Sequence, residues 1–265
     1  MAIPSRQIGW GTEENLLWQI SKQLEYLTRV VYNIPNNTTT TTTSTTSTTT
    51  TINPNNLSLT VDNTTNFDIA SDGDFTIEWF AYYADTNNHP RAYSFGSYLQ
   101  GGASHAVSIE NGTFYWWVNG SIIIQNNISI ENGWHHFCVQ RASDVAQVYI
   151  DGVSIGTAGF TSDIPTQGKP LFIGSEGDDS LSNALFSNFR WNNTIAVYDP
   201  AGFTPPSAPL SAVTGTTLLL MQGNSLGAEL TDNSIFNNVI TNGSGVYNSG
   251  NPFVGEQGSI QFGTV

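Results

Sequence analysis

Hydrolysis of a glycosidic bond needs two facing carboxyl groups, and a metal site needs several His, Cys or carboxylate side chains drawn together. Few residues of this chain could supply either. Glu78 stands alone among apolar neighbours in Phe75-Thr76-Ile77-Glu78-Trp79 and reads as structural. His135 and His136 are consecutive in a run of strand character, so they face opposite sides and cannot form a catalytic pair. His136 reads as a core histidine with a partner. Cys138, between Phe137 and Val139, reads as a small buried apolar group, and a single cysteine excludes an intrachain disulfide and a cysteine-based zinc site. No Gly-x-Ser-x-Gly, phosphate loop or dinucleotide fingerprint occurs. Two binding features stand out. Glu176-Gly177-Asp178-Asp179 gathers hard oxygen ligands of the kind calcium prefers, its alternative being a solvated turn. Tyr115-Trp116-Trp117 puts neighbouring rings on opposite strand faces. One Trp then enters the core, while Trp117 and Tyr115 share the outer face, where they could stack on a sugar, meet another subunit or pack within the domain. The stretch from Asn87 to His105 reads as a long loop, and its Arg91, Tyr98 and His105 join the candidate recognition residues.

The elements that hold these residues are predominantly strands. Phe75, Ile77 and Trp79 alternate with polar residues at period two. Thr113–Val118 and Ser121–Gln125 flank Asn119-Gly120, a type I′ hairpin signal, and Ala146–Ile150 and Val153–Gly156 flank Asp151-Gly152. Trp134–Arg141, Leu171–Gly174 and Ala184–Trp191 add further strands. Many short strands without intervening helices predict an antiparallel sandwich or jelly roll over residues 55–265.

The N-terminal part differs. Thr12 can cap a helix whose first turn carries Glu13 and Glu14, and Leu17, Ile20, Leu24, Leu27 and Val31 form an a/d stripe over about two heptads that ends before Pro35. The stripe either lies on its own domain or binds copies of itself or a larger assembly. Residues 38–51 are nothing but Thr and Ser, a polar tract that cannot drive its own burial. Extended, it reaches roughly 45 Å at about 3.3 Å per residue. The expected organisation is an anchor or oligomerisation helix over 1–37, a spacer over 38–54 and a β-rich head over 55–265.

Composition narrows the function. The chain has 265 residues, with seven Lys and Arg against 21 Asp and Glu, a formal net charge of −14 and only 11% charged residues. A surplus of that sign cannot neutralise a run of phosphates, which argues against nucleic acid, and it opposes docking on anionic lipid. No apolar run reaches the 18 or so residues of a membrane span, and the N-terminus lacks a signal-peptide layout. Low charge with abundant Asn, Thr and Gly suits an extracellular or particle-borne protein. The sequons at Asn63, Asn111 and Asn127 arise readily in such a composition and carry little weight.

In their order, the motifs Phe75–Trp79, Trp134-His135-His136, Tyr149-Ile150-Asp151-Gly152, Leu171–Gly174 and Phe189-Arg190 resemble the laminin-G-like branch of the concanavalin A-like lectin/glucanase superfamily over about residues 55–210. Phe203–Pro209 is similar to the end of such domains in bacteriophage and other viral structural proteins, and Met1–Asn33 to a short module of marine-virus structural proteins. Leu218–Leu220, Asp232–Ser234 and Gly258–Phe262 look like opening strands of the same domain type, although they follow the body. They either complete the sandwich in permuted order, which leaves no open edge, or begin a second unit. The resemblance implies a jelly roll and often a calcium ion. However, Ser187 and Asn188 stand where the family usually has an acidic residue before the Arg, which weakens the calcium expectation. Glucanases of the superfamily carry Glu-x-Asp-x-Glu or a close variant on one strand face, and none occurs here.

The resulting expectation is a non-enzymatic virion structural protein, a decoration, fibre or host-attachment protein with a lectin-like head on the particle surface. Its partners would be other virion proteins and copies of itself, with a trimer favoured, and a host-surface glycan as ligand. A free oligomeric lectin is the rival, and a glycosidase a distant third.

Overall fold

The computed structural model describes residues 58–62, 65–86, 91–96, 103–130, 133–176, 182–253, 257–263 and 265. The helix stripe Leu17, Ile20, Leu24, Leu27 and Val31, the spacer, and the candidate residues Tyr98, Asp178 and Asp179 lie outside them. All described residues belong to the unit Ile52–Val265.

Fifteen strands are present among the described residues: β1 (Leu59–Val61), β2 (Phe75–Tyr83), β3 (Arg91–Phe95), β4 (His105–Glu110), β5 (Thr113–Val118), β6 (Ser121–Asn127), β7 (His135–Ala142), β8 (Val145–Ile150), β9 (Val153–Gly159), β10 (Leu171–Ile173), β11 (Ala184–Asn192), β12 (Thr216–Leu220), β13 (Ile240–Asn242), β14 (Val246–Asn248) and β15 (Ser259–Phe262). A single helical turn, α1 (Leu226–Glu229), and a short 3-10 turn at Thr65–Phe67 complete the described elements. Two antiparallel sheets result. One runs β13-β1-β10-β3-β4-β5-β6, the other β14-β15-β11-β2-β7-β8-β9, with β12 paired to the second half of β11. The strands after Gly215 join both sheets: β13 pairs with β1, and β15 and β12 share one side of β11. This is the all-β sandwich that the alternation predicted.

The hairpins follow from local chemistry. Asn111-Gly112, Asn119-Gly120 and Asp151-Gly152 all adopt positive φ at both positions, which a type I′ turn requires and which Asn, Asp and Gly accept at least cost. Period-two alternation then drives one face of each strand inward. Trp79 sits at the centre, stacked on Phe137 at 5.5 Å and edge-on to Tyr93. Phe67, Phe95, Phe189 and Trp191 extend this aromatic core between the sheets. Trp116 points inward and is fully buried, while Trp117 on the same strand is not, as the alternation requires.

One expectation is corrected. The stretch 87–105 is not one long loop, because Arg91–Phe95 forms β3, paired to β10 and β4, and His105 begins β4. The alternation of Tyr93 and Phe95 in that strand is too short to stand out against the polar and glycine residues on either side of it.

Candidate functional site

The outward faces of the two sheets carry the residues that could do chemistry, and the chain treats them differently. On the eight-stranded sheet, Thr76, Glu78, His136, Gln140, Tyr149 and Arg190 point away from the core. The segment 193–211 crosses them as a strap. Thr76 Oγ1 accepts from Val197 N at 2.9 Å, and Gln140 both accepts from Tyr198 N and donates to its carbonyl, each at 2.9 Å. Tyr149 donates to the Pro200 carbonyl, and Phe203 N donates to the Gly152 carbonyl at 3.1 Å. Gly152 serves twice here: it closes the β8–β9 turn at φ +75°, and a Cβ in its place would lie 1.8 Å from the Phe203 oxygen.

Under this strap lies a closed polar network. Arg190 donates to Glu78 Oε1 through Nε at 2.8 Å and again through Nη2, and its Nη1 reaches the Ser211 carbonyl at 2.6 Å. Glu78 Oε2 is met by His136 Nε2 at 2.9 Å and accepts from the Tyr198 hydroxyl at 2.6 Å. The Tyr198 ring stacks on Phe203 at 3.7 Å. Burial alone would raise the Glu78 pKa. The hydrogen bond from His136 and the positive Arg190 outweigh it and hold the carboxyl below its ordinary range. Burial and the neighbouring Glu78 carboxylate together push the Tyr198 hydroxyl well up, so it stays a donor. With no exposed surface and both oxygens engaged, Glu78 cannot meet a substrate. His135, on the opposite side of β7, pairs instead with Asp151 at 2.7 Å.

The β4–β6 end of the other sheet is different. The register sets Arg91, Ser108, Tyr115 and Gln125 in one outward row across β3 to β6, and Ala106, Trp117 and Ile122 in the next. Tyr115 and Trp117 stack at 5.9 Å with 28° between their planes, above the small Ala106 and Ser108. Trp117 Nε1 donates weakly to Ser108 Oγ at 3.4 Å. Both rings keep part of their surface accessible, and Ile122 and Gln125 beside them are exposed. Arg91 is held by two carboxylates, Glu176 at 3.0 Å and Glu110 at 3.5 Å. The result is an aromatic platform over the buried Ser108, edged by the Gln125 amide and a charge-compensated guanidinium. Such a platform can stack on the CH face of a sugar while its edge hydrogen-bonds the hydroxyls.

Of the candidate recognition residues, the structure brings together Tyr115, Trp117 and Arg91. It does not bring His105, which is a correction. The imidazole faces inward, fully buried, and its Nε2 accepts from the Trp116 indole at 2.6 Å and lies 3.2 Å from the Tyr93 hydroxyl. Because an indole N–H can only donate, Nε2 carries a lone pair and the ring is neutral. Burial pushes its pKa down to about 3. Glu176 is spent on Arg91, and among the described residues no three His, Cys, Asp or Glu converge as a metal site. Ser187 and Asn188 hold the chain itself: Asn188, at φ +52°, accepts from Leu210 N and Gln222, and Ser187 reaches the Gly258 carbonyl. Sequence reasoning missed the partners of Glu78. Tyr198 and Phe203, two rings in an otherwise loop-like, Pro-rich stretch, were the available signal that this stretch packs.

Among curated proteins, none matches the chain. The model of the concanavalin A-like lectin/glucanases superfamily matches residues 53–196, just over half of the chain. Among solved structures, a provisionally named carbohydrate-binding protein from Bacteroides ovatus superposes with a TM-score of 0.51 at 10% identity, covering 70% of this chain and 58% of its own. The binding domain of Paraclostridial Mosquitocidal Protein 1 gives 0.37 at 16% identity, covering 48% of this chain and 35% of its own. The sialidase of Trypanosoma rangeli gives 0.37 at 15%, covering 47% and 21%. The chain thus spans less than two thirds of the length of each. The sheet order, the ordered motifs and the family match converge on one conclusion: the chain belongs to the concanavalin A-like lectin/glucanases superfamily.

Proposed function

We propose that the protein is a carbohydrate-recognition head without chemistry of its own, which binds a glycan through the Tyr115–Trp117 platform. The observation that carries this reading is the stacked, partly accessible ring pair beside Gln125, Ser108 and Arg91. The charge-compensated state of Arg91 favours a neutral glycan over an acidic one, because its two carboxylates compete with any carboxylate of the ligand. The absence of catalysis is part of the proposal, and it is supported by the full engagement of Glu78. On a glycan array the full chain should retain neutral glycans, and Trp117→Ala should lose those that stack on the ring pair. Retention by Trp117→Ala at wild-type strength, or release of reducing sugar from a bound polysaccharide, would refute the reading.

The second half of the proposal is display. The stripe Leu17, Ile20, Leu24, Leu27 and Val31 would join copies of the chain, as a trimer, or seat it on a virus particle, with the Thr/Ser tract holding the head away from that anchor. Leu24→Asp should then release monomers or detach the protein from particles with the head still folded. Unchanged association would remove the anchor from the proposal, and failure to co-purify with particles would leave a free lectin.

A further inference from the structure

A second recognition site is built at a place no motif marks. A cleft of about 470 Å³ opens between the turn at Asn66, the residues after β11, the run into β12 and the loop carrying Ile235 and Phe236. That volume falls within the ~300–1,000 Å³ of small-molecule sites. Its lining holds no ionisable side chain: the segments at 66, 193–194 and 212–217 supply Asn66, Asn193, Val213 and the threonines, and the loop supplies Ile235 and Phe236.

Both sides are fixed. Asn193 donates to the Asn66 carbonyl, and its backbone N–H to Gly215 O. Asn192 donates to Thr214 O at 2.6 Å. Gly215 is at φ +80°, and a Cβ there would collide with Thr194 Oγ1 at 1.6 Å, so this close approach requires glycine. On the other side the Asp232 carboxylate gathers the loop. It accepts from the backbone N–H groups of Leu219, Ser234 and Asn238 at 2.8–3.0 Å and from the Asn238 amide at 2.7 Å. Asn238 also donates to Thr217 O at 2.8 Å. This rigid frame holds Ile235 at 84% exposure and Phe236 at 41% against the cleft rather than letting them fold away.

We infer that this cleft binds an uncharged sugar ring, independently of the Tyr115–Trp117 platform. A pyranose has the same two characters as the cleft: a CH face for Phe236 and hydroxyls for its amides and threonines. Among the lining residues no cation is present to hold a carboxylate or phosphate, and no anion to hold an amine, so a charged ligand would lose its hydration without compensation.

Saturation-transfer NMR on the full chain, with methyl glucoside, methyl galactoside and cellobiose as probes, tests the site. Transfer to at least one probe is expected in the wild type and in Trp117→Ala. In the Trp117→Ala background, Thr214→Trp, a change at an exposed position that fills the cleft, and Phe236→Ala should each weaken the remaining binding roughly tenfold or more. If Phe236→Ala fails to fold, as a melting curve would reveal, Thr214→Trp decides alone. The inference is overturned if no neutral probe receives transfer from the Trp117→Ala chain, or if the binding that chain retains survives the added Thr214→Trp. It is also overturned if the cleft variants alter the oligomer mass and leave sugar binding intact, since that would give Ile235 and Phe236 to a protein contact. Loss in the cleft variants with none in Trp117→Ala would leave this site standing while the platform falls.

Discussion

The outward faces of the two sheets are built by the same rule and end in opposite states. On each, every second residue of a strand points away from the core, and on each some of those residues are polar or aromatic. Over the eight-stranded sheet the chain returns as the 193–211 strap, so Glu78, His136 and Arg190 are sealed and must satisfy one another. At the β4–β6 end of the other sheet, Tyr115 and Trp117 satisfy each other by stacking and keep accessible surface. A carboxylate beside a histidine is therefore mortar here, and two plain aromatic rings are the better candidate for contact with a ligand. The chemistry of a side chain does not by itself decide its role; the next layer of chain does.

Substitutions can break or sharpen this contrast, beginning with the sealed face. Glu78→Ala leaves a buried guanidinium without its partner and should cost about 3–5 kcal/mol in a urea melt. A cost under about 1 kcal/mol would mean that the face is wetter than the strap implies. Next in size is the pH response. His105, neutral in the core with its pKa at about 3 against 6.5 unfolded, takes up a proton only on unfolding, so its contribution is lost as pH falls from 6.5 towards 3. Glu229, buried on α1, has its pKa pushed up to about 7 by burial, against the pull of the Gly223 and Gly258 amides, so its contribution is present below 4.5 and lost as pH rises through 7. From pH 6.5 to 4.5 these two oppose each other, and stability should stay nearly flat. Below pH 4.5, His105 alone gives a slope of about 1.4 kcal/mol per pH unit, and Glu78, whose depressed pKa gives stability that is lost on acidification, acts in the same direction. Melts from pH 3 to 8 should show the plateau and the acid limb. Glu229→Gln should replace the plateau with a steady decline from pH 6.5.

Tyr198→Phe removes one donor from Glu78 while keeping the stack on Phe203, and should cost about 1.5–3 kcal/mol by the same urea melt. The smallest stability effect belongs to the accessible face. Trp117→Ala should lose about 1 kcal/mol, the worth of its stacking on Tyr115, while abolishing retention of the glycans bound by the platform. If Trp117→Ala instead destabilises as much as Glu78→Ala, the two faces are not different in kind.

The strands at Phe75–Trp79, Thr113–Val118 and Trp134–Arg141 were legible because period-two alternation and Asn-Gly or Asp-Gly turns are local signals. The split of Trp116 from Trp117 was legible for the same reason. His105 was misplaced because a histidine followed by Ala106-Val107 reads equally as the end of a loop or the start of a strand. Glu78 was read as structural, but its partners were invisible: Arg190 and Tyr198 lie more than a hundred positions away in sequence. The cleft was equally hidden, since Asn66, Thr214 and Phe236 belong to no shared motif.

The sequence by itself determined the alternation, the hairpin turns and hence two antiparallel sheets with an aromatic core, because those follow from interactions between near neighbours. Only the tertiary structure decided which outward residues are sealed and which are accessible, that His105 belongs to the core, and that an uncharged cleft forms between four separate segments. Each of those outcomes depends on where a distant part of the chain comes to rest, and burial, which sets both the pKa of a group and its availability to a ligand, exists only once that distant part is in place.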